Sequence, residues 1–102
     1  MTARTLALAG AALAAAFALP SAASAQAANG AILALSCAAC HGTGGASPGA
    51  IPSLRGRTAD YIGAALTEFK TERRPATVMG RLAKGYSDAE IKALADYFAS
   101  QK

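Results

Sequence analysis

The sequence predicts a small all-α domain condensed around something other than its own side chains. Three observations lead there. Two stretches, residues 58–72 and residues 87 onward, place apolar residues at i, i+3, i+4 and i+7, the spacing of one helix face. No stretch alternates convincingly with a period of two, so strands are not expected. The part of the chain available for a core is also close to the lower limit at which side chains alone hold a domain together.

That last point depends on how the chain begins. One positive charge, Arg4, precedes an unbroken apolar run of 14 residues, 6–19. Pro20 breaks the run, and Ala23-Ser24-Ala25 supplies the small-x-small pattern that signal peptidase reads. The run is short for a bilayer span and mostly alanine; a membrane anchor is the alternative reading. No cysteine follows it, which argues against lipid attachment there. The expected organisation is a signal peptide over residues 1–25, cleaved after about Ala25, and one domain over residues 26–102. The periplasm is the natural destination in a bacterial source. The domain keeps nine Lys/Arg and six Asp/Glu, so it is mildly basic. Its charges read as dispersed, with Arg73-Arg74 the densest pair. With no basic run and no aromatic platform, nucleic acid is not an expected partner.

Three helical stretches are expected, in order. The first, around residues 27–38, is short and runs into the cysteines, with Ile32, Leu33 and Leu35 its bulky residues. The connection 42–56 holds five glycines and two prolines, so it is irregular and must wrap around something. The second helix spans about 58–72. Thr58 is its N-cap, Asp60 sits where the helix dipole favours negative charge, and Ile62, Ala65, Leu66 and Phe69 form its apolar face. Pro75 bars continuation, and the loop 75–86 that follows is partly helical in its middle, TVMGRLAK. The third helix begins at the capping box Ser87-Asp88-Ala89-Glu90 and buries Ile91, Leu94, Ala95 and Phe98.

The chemistry concentrates in Cys37-Ala38-Ala39-Cys40-His41, which holds both cysteines and the only histidine. Four readings compete. Zinc needs about four protein ligands, or three with an open position, and no further Cys or His follows. A thioredoxin-like redox pair belongs in a βαβ context, which is missing. A structural disulfide suits an exported protein but closes almost no loop and leaves the histidine unexplained. Covalent haem attachment, the C-x-x-C-H signature, uses all three residues: Cys37 and Cys40 as thioethers, His41 as the proximal iron ligand. It also supplies the missing core.

A low-spin carrier needs a sixth ligand. Beyond the leader Met79 is the only methionine, 38 residues after His41, in a loop bounded by Pro75 and Gly80. His/Met ligation raises the reduction potential and leaves no open position for substrate. The competing readings are a Met79 that merely packs, with Lys84 as the ligand or the position open. The other nitrogen of His41 needs an acceptor. The Pro52 carbonyl is the candidate, and Leu54 the candidate haem-packing residue; a plain loop proline is an equal alternative on the residues alone. Arg55, Arg57, Tyr61 and Arg81 are candidates to meet haem propionates.

CAACHGTGG, then IPSL, then a methionine loop, then a terminal helix ending ADYFASQ resemble the class I c-type cytochromes over essentially all of residues 26–102. The resemblance implies a small class I fold of three main helices wrapped around one covalently bound haem c. It implies the Pro52 carbonyl as acceptor from His41. It also implies a crossing of the first and last helices at Gly30, Leu33 and Tyr97, although Gly30 is one place off the commonest spacing. The run FKTERRPATVMGRLAKGYSDAEIKALADYF is similar to the haem subunits of flavocytochrome c sulfide dehydrogenases. That similarity implies a periplasmic electron-transfer subunit accepting electrons from a flavoprotein sulfide dehydrogenase and passing them to another cytochrome or a respiratory-chain acceptor. Such a subunit does no sulfur chemistry itself. Some members of that group carry two haem domains, whereas this chain has one C-x-x-C-H. The alternative functions are a free soluble monohaem shuttle without a permanent flavoprotein partner, and a ligand-binding haem sensor with an open sixth position.

Overall fold

Asn29 opens the first element. Its Oδ1 accepts from the backbone N–H groups of Ala31 and Ile32, at 3.1 and 3.3 Å, and satisfies donors that a helix start leaves orphaned. The computed structural model describes residue 10 and residues 28–102. The expected signal peptide and its cleavage site at Ala25 therefore lie, residue 10 apart, outside the described residues.

Helix α1 spans Gly30–Leu33, tightens into a 3₁₀ turn over Ala34–Ser36, and resumes as α2, Ala38–His41. The first helical stretch thus starts later than expected and reaches further, so that Cys40 and His41 are themselves helical. Ser36 Oγ donates back to the Leu33 carbonyl at 2.9 Å, the kind of back-bonding that bends helices, and shares a second hydrogen bond with the Tyr86 hydroxyl. The connection after His41 is irregular, as expected, apart from one 3₁₀ turn over Thr43–Gly45.

Helix α3 spans Ala59–Lys70, with the Thr58 hydroxyl accepting from Tyr61 N–H at 3.1 Å. It ends about two residues before the sequence reading places its end. Glu72 adopts a left-handed φ of 60°, and Arg73 N–H closes back on the Glu68 carbonyl at 2.9 Å. The expected partly helical stretch is α4, Met79–Ala83. Helix α5, Asp88–Ser100, starts at the capping box: Glu90 N–H donates to Ser87 Oγ at 3.2 Å, and Ser87 N–H to Glu90 Oε2 at 2.8 Å.

Packing puts α5 at the centre, against α1 on one side and α3 on the other, with α4 on α3. Ala34, Ile62, Leu94, Ala95 and Phe98 form the buried cluster, and Leu33, Leu54 and Leu66 pack on it. α1 crosses α5 where Gly30 meets it. A Cβ on Gly30 would collide with the Ala93 carbonyl and approach Tyr97 Cβ to 2.9 Å, so the two backbones approach more closely than any side chain at 30 allows. The crossing implied for Gly30 and Tyr97 is therefore present despite the shifted spacing. Among the described residues there is no strand, and the all-α expectation holds.

Candidate functional site

The two thiols and the imidazole come from one turn of chain. Cys37 ends the 3₁₀ turn, and Cys40 and His41 lie on α2; His41 N–H donates to the Cys37 carbonyl at 2.9 Å. Positions i, i+3 and i+4 of a helix share a face, so this backbone sets Cys37, Cys40 and His41 beside one another. Cys37 is half-buried and packs on the core cluster, Cys40 is exposed, and both are free thiols. Burial pushes the Cys37 thiol above its ordinary range, and the neighbouring Ser36 hydroxyl pulls it partly back.

His41 is oriented from behind. Its Nδ1 donates to the Pro52 carbonyl at 2.6 Å, across 11 residues of chain. That bond fixes the tautomer: the proton is on Nδ1, and the Nε2 lone pair is free to bind a metal. Gly42 makes the return possible. At φ 84° and ψ 161° it turns the chain sharply after the histidine, and a Cβ there would collide with the Ala46 carbonyl. The loop is then tied back on itself, with Leu54 N–H donating to the Gly45 carbonyl at 2.8 Å and Ser47 N–H to Ser53 Oγ at 2.9 Å. Leu54 is half-buried against the core cluster. On the residues alone the Pro52 carbonyl was one of two equal readings for the His41 acceptor, and the resemblance tipped the balance toward it. The torsion at Gly42 leaves no signal beyond the residue type, and it escaped the sequence reading.

Met79 is half-buried and is the first residue of α4. α4 is secured to α3 at its other end, where Lys84 Nζ pairs with Glu72 Oε1 at 2.6 Å. The ammonium and its hydrogen bond hold the Glu72 carboxyl below the usual carboxylate range. The candidate propionate partners do not form one group. The Arg57 guanidinium lies 4.9 Å over the Tyr61 ring, with Nε donating to the Ser53 carbonyl at 3.4 Å. The Arg55 guanidinium lies against Gly44. Arg81 belongs elsewhere, to a concavity between α3 and α4 that it lines with Arg74 and Lys84.

The residues fit a covalently held haem. The donor set is two thiols and an imidazole with its outer nitrogen already engaged and Nε2 available. The domain also keeps few buried side chains of its own, while Ile51, Val78 and Leu82 stand exposed. A large apolar plate would repair that imbalance. No helix among the described residues is long and apolar enough to cross a membrane.

Comparison with known proteins adds to this geometry. The family described as Cytochrome c matches residues 27–102. The chain is 53% identical over 72 residues to the cytochrome subunit of sulfide dehydrogenase from Chlorobaculum tepidum, covering 71% of this chain and 66% of that one. It is 43% identical over 68 residues to a thiosulfate dehydrogenase electron acceptor from Stutzerimonas stutzeri, covering 63% of this chain and 32% of that one. It is 36% identical over 70 residues to cytochrome c-554(548) from Halomonas halodenitrificans, covering 65% of this chain and 84% of that one. The chain thus spans just under two thirds of the first of these relatives, a third of the second and most of the third.

Proposed function

The chain belongs to the cytochrome c family and is an electron-transfer haem protein carrying haem c; from that premise we propose how the haem is held and which partner it serves. Cys37 and Cys40 carry it as thioethers. His41 Nε2 and the Met79 thioether would bind the haem iron, the Pro52 carbonyl orients the imidazole, and Leu54 would pack the pocket. When bound, the haem supplies one-electron chemistry at iron. His41 and Met79 would hold the iron in both oxidation states and leave it no position open to substrate. The observation that carries this reading is the 2.6 Å bond from His41 Nδ1 to the Pro52 carbonyl, one turn from two free thiols. Met79 is favoured over Lys84 because the Lys84 ammonium is engaged by Glu72.

The partner is a flavoprotein sulfide dehydrogenase, which this chain serves as cytochrome subunit, handing electrons on to another cytochrome or a respiratory-chain acceptor. The support is the 53% identity to a subunit so named. Export to the periplasm, by a signal peptide over residues 1–25, belongs to the same reading. A second reading, a free monohaem shuttle, is favoured by one observation: the chain covers 84% of cytochrome c-554(548). Co-purification separates the two, since a subunit travels with a flavoprotein and a shuttle does not. Replacement of Met79 by Ala tests the ligand set. The variant should lose potential and bind carbon monoxide rapidly in the ferrous state. An unchanged potential and spectrum would remove Met79 from the site.

A further inference from the structure

Composition reads the charges as dispersed; along the chain they are segregated. Residues 28–54 contain no Lys, Arg, Asp or Glu, while residues 55–102 contain nine basic and six acidic residues. All four ion pairs among the described residues fall in the charged part: Lys70–Asp88, Arg74–Glu68, Lys84–Glu72 and Lys92–Asp96. Two of them bracket Met79. Arg74 stands five residues before it and Lys84 five residues after it, and their partners, Glu68 and Glu72, stand at the end of α3.

The stretch between them has little else to hold it. No hydrogen bond among the described residues involves Pro75, Ala76 or Thr77. Those three residues line a concavity of about 380 Å³ against Phe69, so they overhang open space rather than packed side chains. α4 starts without a side-chain cap, and its buried residue, Ala83, is at the end away from Met79. At Gly80 a Cβ would stand 3.8 Å from the Phe69 carbonyl, ordinary contact with no close fit.

Arg74 is the firm point. Its N–H donates to the Glu68 carbonyl at 3.3 Å, and its Nε and Nη2 both reach Glu68 Oε2 at 2.8 Å. The guanidinium also lies 5.4 Å over the Phe69 ring. One residue thus grips α3 by its main chain, by a forked charge-assisted bond and by an aromatic face. Pro75 follows directly and disfavours helical torsions at Arg74, so α3 cannot run on past the anchor. The Arg74 and Glu68 side chains are each 37% exposed, against 51% for Lys84 and 74% for Glu72, so solvent screens this pair less.

We propose that Arg74 is a positioning residue for Met79: held by Glu68 and Phe69, it fixes where the methionine segment leaves α3 and so keeps the thioether at its place in the site. The inference rests on the Met79 ligand reading above. A half-exposed ion pair adds little to global stability. Local openings cost far less than global unfolding, so the same pair weighs heavily on whether one short segment swings out.

The test follows imidazole binding to the ferric, haem-loaded protein. Imidazole takes the sixth position only while Met79 is away from it, so the apparent affinity reports the detached population. Arg74→Gln and Glu68→Ala should each raise that affinity by about fivefold. The double variant should gain no more than either alone, since both changes remove one clamp. Met79→Ala should bind more tightly than any of these. Two controls separate the clamp from a general loosening. Lys92→Gln breaks the pair on α5, Ser87→Ala removes the α5 cap, and both should bind imidazole as the parent does. Parent affinity in Arg74→Gln, or in Glu68→Ala alone, would overturn the clamp while leaving a tightly binding Met79→Ala, and so the ligand assignment, in place. A gain in Ser87→Ala equal to that in Arg74→Gln would overturn it too. Equal affinity in Met79→Ala and the parent would remove Met79 from the iron and take the clamp with it.

Discussion

Gly42 decides whether His41 can be oriented at all. Its φ of 84° and ψ of 161° fall in a region that side-chain-bearing residues occupy only at a cost of about 1–3 kcal/mol. Gly42→Ala adds a collision with the Ala46 carbonyl and approaches Ser47 N to 3.0 Å. That variant should melt lower by roughly 4–8 °C for each kcal/mol lost in a domain of this size. Its His41 imidazole signals in NMR should also broaden as the bond to the Pro52 carbonyl loosens. A Gly42→Ala protein that melts with the parent would mean that the turn is not needed. At this scale Cys37, Cys40 and His41 stood out as a candidate set because their chemistry is local: two thiols and an imidazole within five positions have few joint uses. The acceptor for His41 was not readable in the same way. A backbone carbonyl has no residue-type signature, so the residues alone left Pro52 level with a plain loop proline until likeness to a family favoured it.

The helix starts capped by Thr58 and Ser87 were readable; the start capped by Asn29 and the ends built from backbone torsions were not. Thr58 and Ser87 stand where the sequence placed them because capping needs a particular oxygen at a particular spacing. Ser87→Ala removes the acceptor for Glu90 N–H and should cost about 1 kcal/mol, a Tm loss of roughly 4–8 °C with the haem spectrum unchanged. An unchanged Tm would show that α5 is held by packing alone. The end of α3 was misplaced because Glu72, a residue with no special liking for the left-handed region, adopts it. The Lys84 ammonium pins that carboxylate and ties α4, with Met79, to the end of α3. Since folding lowers the Glu72 pKa, its contribution is present above the ordinary value of 4.5 and lost as pH falls through the lower folded value. In acid unfolding, Glu72→Gln should therefore show a shallower loss of stability below about pH 4.5 than the parent. Parallel curves would mean that the pair contributes nothing. The crossing of α1 and α5 was readable by resemblance, but its closeness comes from the structure. Gly30→Ala should cost about 1–3 kcal/mol through overpacking, although alanine is the better helix former. Chemical denaturation reads that cost directly, and an equal or higher midpoint would contradict it.

Over the whole molecule, the buried hydrophobic residues described are few, and three of the seven are alanines. Conformational entropy costs about 1–2 kcal/mol per residue ordered, so a core this small needs help. The shortage was legible from length and from the glycine-rich connection that had to wrap around something. The segregation of charge was not, because composition averages over position. If the haem is the nucleus, a Cys37→Ala/Cys40→Ala chain, unable to form either thioether, should lose most of its helical circular dichroism at ambient temperature. The most direct measurement is extraction of the purified protein with acidified acetone, followed by intact mass. The pigment should stay with the precipitated peptide, the mass should equal the polypeptide plus one haem, and proteolysis should place the added mass on the fragment containing Cys37 and Cys40. Pigment released into the acetone, or a peptide of bare mass, would contradict covalent attachment at these two residues.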